Sequence, residues 1–167
     1  MAAMSNTQRL WKHFTTTKRV VNRALPDASM SLVEKSIGMA ERGSSGQIRL
    51  VVECHWPLWQ VAHQTARSRA LEWFSHLRVW DTEHNNGVLI YLLFAEHDVE
   101  ILADRGFNGK VSREQWEAIC QLMESNFREG RFDNGLSEGV NAIGDLMRQH
   151  FPAEMGKNEQ SDRPLIV

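Results

Sequence analysis

A three-layer α/β/α sandwich around a small mixed sheet is the architecture to which this sequence points. Three observations carry it. Residues 88–95 (VLIYLLFA) are an unbroken apolar run, too short for a membrane span and suited to a strand buried on both faces. Residues 47–53 (QIRLVVE) read as an earlier, β-branched strand, and a long amphipathic stretch separates the two. After the short polar turn Ala95-Glu96-His97-Asp98, Val99, Ile101 and Ala103 alternate with Glu100, Leu102 and Asp104. Strand, helix and strand make a βαβ unit with parallel strands and a right-handed crossover. The hairpin then adds an antiparallel third strand, and helices must cover both faces of the sheet.

Residues 1–25 are expected to form a helical segment in which Leu10, Phe14, Thr17 and Val21 share the docking face. Its basic cluster, Arg9, Lys12, Lys18, Arg19 and Arg23, reads as a solvated helix face, with an acidic surface or lipid headgroups as the alternative. Pro26 and Asp27 end this segment and open the main domain, residues 26–151. Ser31-x-x-Glu34 has the form of a capping box and predicts a helix to about Arg42, with Leu32, Ile37 and Ala40 inward and residues 43–46 (GSSG) as its stop. After the first strand, the prolyl Pro57 breaks the ladder. From Leu58 to Leu77 apolar residues recur at three and four, which predicts one continuous amphipathic helix. His63 and His76 lie at the edges of its stripe, too far apart for zinc spacing, and read as surface residues.

Ser112-x-x-Gln115 caps a helix carrying Trp116, Ile119, Cys120, Met123 and Phe127 on one face, ending near Glu129-Gly130. Asp133 is the expected N-cap of the last helix, in which Leu136, Val140, Ile143 and Met147 face inward. Gly135 and Gly139 permit close approach of a neighbour. Residues 152–167 are expected to be a mobile tail.

Composition excludes several classes. The chain has 167 residues, enough for one domain with a core of its own, and its 24% charged and 42% apolar content is ordinary for a globular protein. A net charge of −2 argues against a nucleic-acid binder. Cys54 and Cys120 lack metal-ligand spacing and read as reduced, half-buried thiols. No secretory leader and no membrane-spanning run is visible, so a soluble cytoplasmic protein is expected.

Strand direction locates a candidate site. The loops at residues 43–46, 81–87 and 104–109 should all lie at one end of the sheet. Asp81, Asn85, Asn86 and Asp104 would meet there with Gly87, Gly106 and Gly109. Carboxylate, amide and carbonyl oxygens are the ligands that hard cations take.

Asn85-Asn86-Gly87-Val88-Leu89, then Asp104-Arg105-Gly106-Phe107, then residues 127–136 (FREGRFDNGL) form a pattern that resembles the TPM domain family over roughly residues 26–151. That family includes a thylakoid-lumen phosphatase linked to photosystem II repair and many bacterial proteins. The resemblance implies an α/β/α sandwich and a divalent cation, usually calcium or magnesium, at the loops of one sheet end. It also implies acid phosphatase activity of the kind described for some members. The chain looks like the short, anchorless bacterial form that accompanies longer TPM-domain proteins and a LemA-type membrane protein. Those, or another membrane-associated protein, are the implied partners. Where the family has glycine-aromatic-glycine, this chain has Gly106-Phe107-Asn108-Gly109, one residue longer.

Three functional readings stand on these residues. One is an accessory domain, non-catalytic or weakly catalytic, that binds a small ligand or a partner in membrane-protein maintenance or stress response. Another is a divalent-metal-dependent phosphatase. The third gives Asp81, Asn85, Asn86 and Asp104 only capping and turn roles. No P-loop, Cys-x5-Arg loop or paired His/Asp metal cluster supports the phosphatase. For the accessory reading, Trp56, Trp59 and Trp80 flank polar segments and are expected to be exposed contact residues.

Overall fold

In a computed structural model, which describes residues 5–152 and 161–167, the strand runs pair as their directions require. β1 (Gln47–Glu53) lies parallel to β2 (Gly87–Leu93), and β2 pairs antiparallel with β3 (Asp98–Ala103). Period-two alternation divides their side chains between two cores. Ile48, Leu50, Val52, Val88, Ile90, Leu92, Val99 and Ile101 point to one, packed by α2 (Lys18–Ala24), α3 (Asp27–Glu41), α6 (Arg113–Arg128) and α7 (Phe132–His150). Val51, Leu89, Tyr91, Leu93 and Leu102 point to the other, under α4 (Leu58–Val61) and α5 (Ala66–His76), with Leu10 of α1 (Asn6–Thr15) against them. The result is an α/β/α sandwich with a four-stranded mixed sheet in the order β3-β2-β1-β4.

The fourth strand is a correction. Residues 152–167 were expected to be a mobile tail, yet β4 (Leu165–Ile166) pairs parallel to Val51 and Val52 of β1. The Val167 N–H donates to the Val52 carbonyl and the Cys54 N–H to the Val167 carbonyl, both at 2.9 Å. The open edge of β1 is the physical reason, since its unpaired backbone groups bind any available extended segment. Residues 153–160 lie outside the described ones.

Four local expectations also change. α3 starts at Asp27, so Ser31 and Glu34 sit inside it rather than capping it, and Leu32 is exposed. Pro26, with φ −66°, sets the first turn, and Asp27 complements the helix dipole there. The stretch from Leu58 to Leu77 is two helices, because Thr65 accepts the Ser68 N–H and Ser68 returns the bond, a capping box that restarts the chain as α5. Asp133 lies in the first turn of α7, after Arg131; its Oδ2 accepts the Ser29 hydroxyl at 3.0 Å and ties α7 to α3. Stacking of Phe132 on Phe94 and Phe127, with centroids at 4.5 and 5.1 Å, draws that residue into the helix start. Finally, Phe14 points outward. The inner face of α1 carries Leu10 and His13 instead.

The glycines of α7 behave as expected. A Cβ on Gly135 would fall 3.0 Å from the Met123 carbonyl oxygen and one on Gly139 2.3 Å from the Met123 sulfur, so both glycines let α6 and α7 pack closely.

Candidate functional site

The three loops do meet at one end of the sheet, where β1 and β2 begin and β3 ends. The Asn86 side chain crosses to the first loop, its Nδ2 donating to Ser45 Oγ at 2.9 Å, while its backbone N–H donates to Thr82 Oγ1 at 3.0 Å. The Asp104 N–H extends the ladder to the Gly87 carbonyl at 2.9 Å, and the Gly106 N–H donates to the Asn85 carbonyl at 2.8 Å. Packing forces glycine at both ends of this junction: a Cβ on Gly87 would lie 1.9 Å from the Val79 carbonyl oxygen, and one on Gly106 2.5 Å from that of Asn85.

Two side-chain oxygens at this junction are left over. Asn86 is 0% exposed, and its Oδ1 has no hydrogen-bond partner among the described residues. Asp104 uses Oδ1 to accept the Arg105 N–H at 2.7 Å, starting the 3-10 turn Arg105–Phe107, but its buried Oδ2 likewise has none. A buried, unpaired acceptor costs roughly 1–3 kcal/mol, and more when charged. Both oxygens, one amide and one carboxylate, are of the kinds that a hard cation takes.

The other two expected ligands are held differently. Asn85, held at φ 52°, spends its Oδ1 on the Arg105 guanidinium at 2.9 Å. Asp81 is exposed, with its backbone N–H on the Arg78 carbonyl at 2.8 Å, and no hydrogen bond among the described residues draws it to the Asn86–Asp104 junction. Thr82 and Ser45, which orient Asn86, were not singled out from sequence; a hydroxyl in a polar loop carries no signal of its own. At Ser112 the expected capping box is present, so Ser112 Oγ already serves the Gln115 N–H.

The opposite end of the sheet holds a polar cluster that sequence reasoning missed. Glu53 is buried and accepts from Arg69 Nη2 (2.7 Å) and Nε (2.9 Å), Tyr91 Oη (2.6 Å), Trp56 Nε1 (3.2 Å) and Trp73 Nε1 (3.3 Å). Burial alone would raise its pKa; the hydrogen bonds from Arg69 and Tyr91 outweigh it and hold the carboxyl below its usual range. Burial, and then the Glu53 charge, push the Tyr91 phenol up. Trp56 is thus buried, contrary to expectation, while Trp59 and Trp80 are exposed. The same end anchors α1. His13 Nδ1 accepts the Trp56 N–H at 2.8 Å, which leaves the proton on Nε2 to meet Glu96 Oε1, also at 2.8 Å. Arg9 Nε donates to the same oxygen, and the imidazole stacks on the Trp56 ring.

A cleft of about 770 Å³ lies between β3 and α6, lined among others by Arg67, Asp98, Glu100, Cys120 and Glu124. Arg67 caps the outward Ile101 carbonyl at 3.0 Å. Burial and the neighbouring Glu100 push Asp98 up to about 6, and burial pushes the Cys120 thiol up to about 12. Cys120 is therefore a thiol at neutral pH rather than a nucleophile. Both cysteines are free. Among the described residues no helix is long and apolar enough to cross a membrane.

Comparison with solved structures matches this geometry to the BA42 protein of the psychrophilic bacterium Bizionia argentinensis. It is 26% identical, with a TM-score of 0.76, over 86% of this chain and 95% of that one. The N-terminal domain of a protein from P. gingivalis shares the fold, at 20% identity and a TM-score of 0.60 over 81% of this chain and 83% of that one. Comparison with curated proteins returned no match. The family model described as the TPM domain matches residues 21–146, which contain both the NNGVL strand opening and the glycine-rich start of α7. The chain belongs to the TPM domain family.

Proposed function

We propose that this chain is a binding module of the TPM type whose loop end holds a hard divalent cation, calcium or magnesium, and that it serves as an accessory domain rather than as a catalyst. One observation carries the reading: at one strand junction Asn86 Oδ1 and Asp104 Oδ2 are buried acceptors without a partner among the described residues. A cation there would neutralise Asp104 and fix the three loops. Exposed Trp59 and Trp80 support the docking half of the reading, with a membrane-associated protein, a longer TPM-domain protein or a LemA-type protein as partner. Phosphatase action is the alternative and has less support. It needs a nucleophile or a base beside the cation, Cys120 is unsuited, and no hydrogen bond among the described residues ties Asp81 to the junction.

Titration with calcium and with magnesium, read by amide NMR shifts, tests the site. Saturable shifts in residues 43–46, 81–87 and 104–109 are expected in the wild type and absent in Asp104→Ala and Asn86→Ala. Asp81→Ala should bind as the wild type does. No shift at on the order of millimolar metal would overturn the reading. Turnover of a phosphomonoester that vanishes in Asp104→Ala would move the assignment to the phosphatase.

A further inference from the structure

We infer that α1 and α2 form a docking surface for an anionic lipid bilayer. Charge is the first ground. Residues 1–26 hold five of the nineteen Lys and Arg and none of the twenty-one Asp and Glu, so this segment carries +5 and the remainder −7 against a total of −2. Arg9 is spent on Glu96, but Lys18, Arg19 and Arg23 are exposed and make no ion pair among the described residues. Such an asymmetry turns one side of the molecule toward an anionic plane and the rest away from it.

The second ground is which side chains face outward. The spacing of Leu10, Phe14 and Val21 would have buried Phe14, yet it is 73% exposed and Trp11, one turn before it, 69%. Val20, between Arg19 and Val21, is exposed too. Tryptophan and phenylalanine interleaved with free lysine and arginine is the composition that inserts among lipid headgroups, rings at the acyl boundary and cations at the phosphates. Along the chain Trp11, Phe14 and Val20 alternate with Lys12, Lys18, Arg19 and Arg23.

Rigidity is the third ground. The inner face of α1 is clamped: His13 is buried between Trp56 and Glu96, and Arg9 joins the same carboxylate. α1 also packs on α4, whose Trp59 is 73% exposed. The outward aromatics are therefore presented by the folded domain and not by a loose arm, so the ordering entropy of docking is already spent. This surface lies at the sheet end opposite the Asn86–Asp104 junction, and the inference does not depend on a cation there.

Co-sedimentation of the full chain with phosphatidylcholine vesicles, with and without phosphatidylglycerol, tests the inference. Binding to the phosphatidylglycerol vesicles alone is expected, weakening steeply as salt is raised. The triple variant Lys18→Glu, Arg19→Glu, Arg23→Glu should lower the partition coefficient on the order of 100-fold. Trp11→Ala with Phe14→Ala should lower it roughly tenfold or more. Leu32→Ala with Met39→Ala removes exposed apolar surface from α3 and should bind as the wild type does. All these positions are exposed, and circular dichroism confirms that each variant is folded. Equal binding to both vesicle types, no binding to either, or wild-type partition by both surface variants would overturn the inference. So would a stoichiometric complex with a purified protein that the aromatic variant loses while the wild type ignores vesicles.

Discussion

The two ends of the sheet bury polar groups in opposite ways. At the Glu53 end each carboxylate oxygen, the Tyr91 hydroxyl and both indole N–H groups find partners within 3.3 Å. At the loop end Asn86 and Asp104 each keep one buried oxygen with none among the described residues. The same backbone rules built both, so the difference lies in completion. A buried charge that is fully hydrogen-bonded needs nothing further and acts as a scaffold. A buried acceptor left unpaired stores a penalty that a ligand can remove. The cluster with more chemistry-bearing residues is thus the structural one, and the sparser end is the candidate site.

Breaking the far end has the largest expected effect. Glu53→Ala removes the buried acceptor of Tyr91 and of Arg69 Nε and Nη2, leaving Arg69 only its bond to Glu72, and should cost about 3–5 kcal/mol in denaturant unfolding. A loss below roughly 1 kcal/mol would mean that the network is no scaffold and the contrast between the ends is false. At the loop end, Gly106→Ala drives a Cβ into the Asn85 and His84 carbonyls and should cost about 1–3 kcal/mol, with amide shifts confined to the loops. An unchanged melting curve would show that the junction yields.

The smallest effect is on pH dependence. Glu53 and Glu96 have depressed folded pKa values; burial opposes ionisation in each, and hydrogen bonds from Arg69 and Tyr91, or from His13 and Arg9, prevail. Their stabilisation is present above the ordinary carboxylate pKa and is lost as pH falls through the folded value. Glu41 behaves oppositely. Burial, with Asp162 beside it, pushes its carboxyl up to about 8, so its contribution is present below pH 4.5 and is lost as pH rises through about 8. Glu41→Gln should therefore flatten the alkaline limb of a stability–pH curve and leave the acid limb in place. An unaltered alkaline limb would show that Glu41 ionises normally in the folded chain.

Strand alternation and strand direction made the sheet, its hairpin and the meeting of the three loops legible in the sequence. Those are local patterns plus one topological rule. Contacts between distant residues were not legible. Nothing near His13 announces that its ring will accept the Trp56 N–H, forty-three positions away, and without that clamp Phe14 looked like the better inward residue. Trp56 follows a strand and precedes a proline, which reads as surface until the Glu53 cluster is seen. The spacing from Leu58 to Leu77 reads as one continuous stripe, but the Thr65 hydroxyl competes for the backbone and divides the helix. At the junction the residue types were visible and their pairing was not: that Asn85 turns to Arg105 while Asn86 turns inward depends on the left-handed φ at Asn85.

β4 bears on how the chain reaches this structure. Its register joins Val51 to Leu165, more than a hundred residues apart, through a strand of two residues. Closing so long a loop contributes to the entropy barrier of folding, so this contact is favoured only after the rest of the sheet exists. Until it forms, one flank of β1 offers free N–H and C=O groups over an apolar, β-branched segment, the kind of template on which chains associate with each other. The short strand is thus a late closure, and its absence in a partly folded chain leaves open the edge through which neighbouring molecules can aggregate.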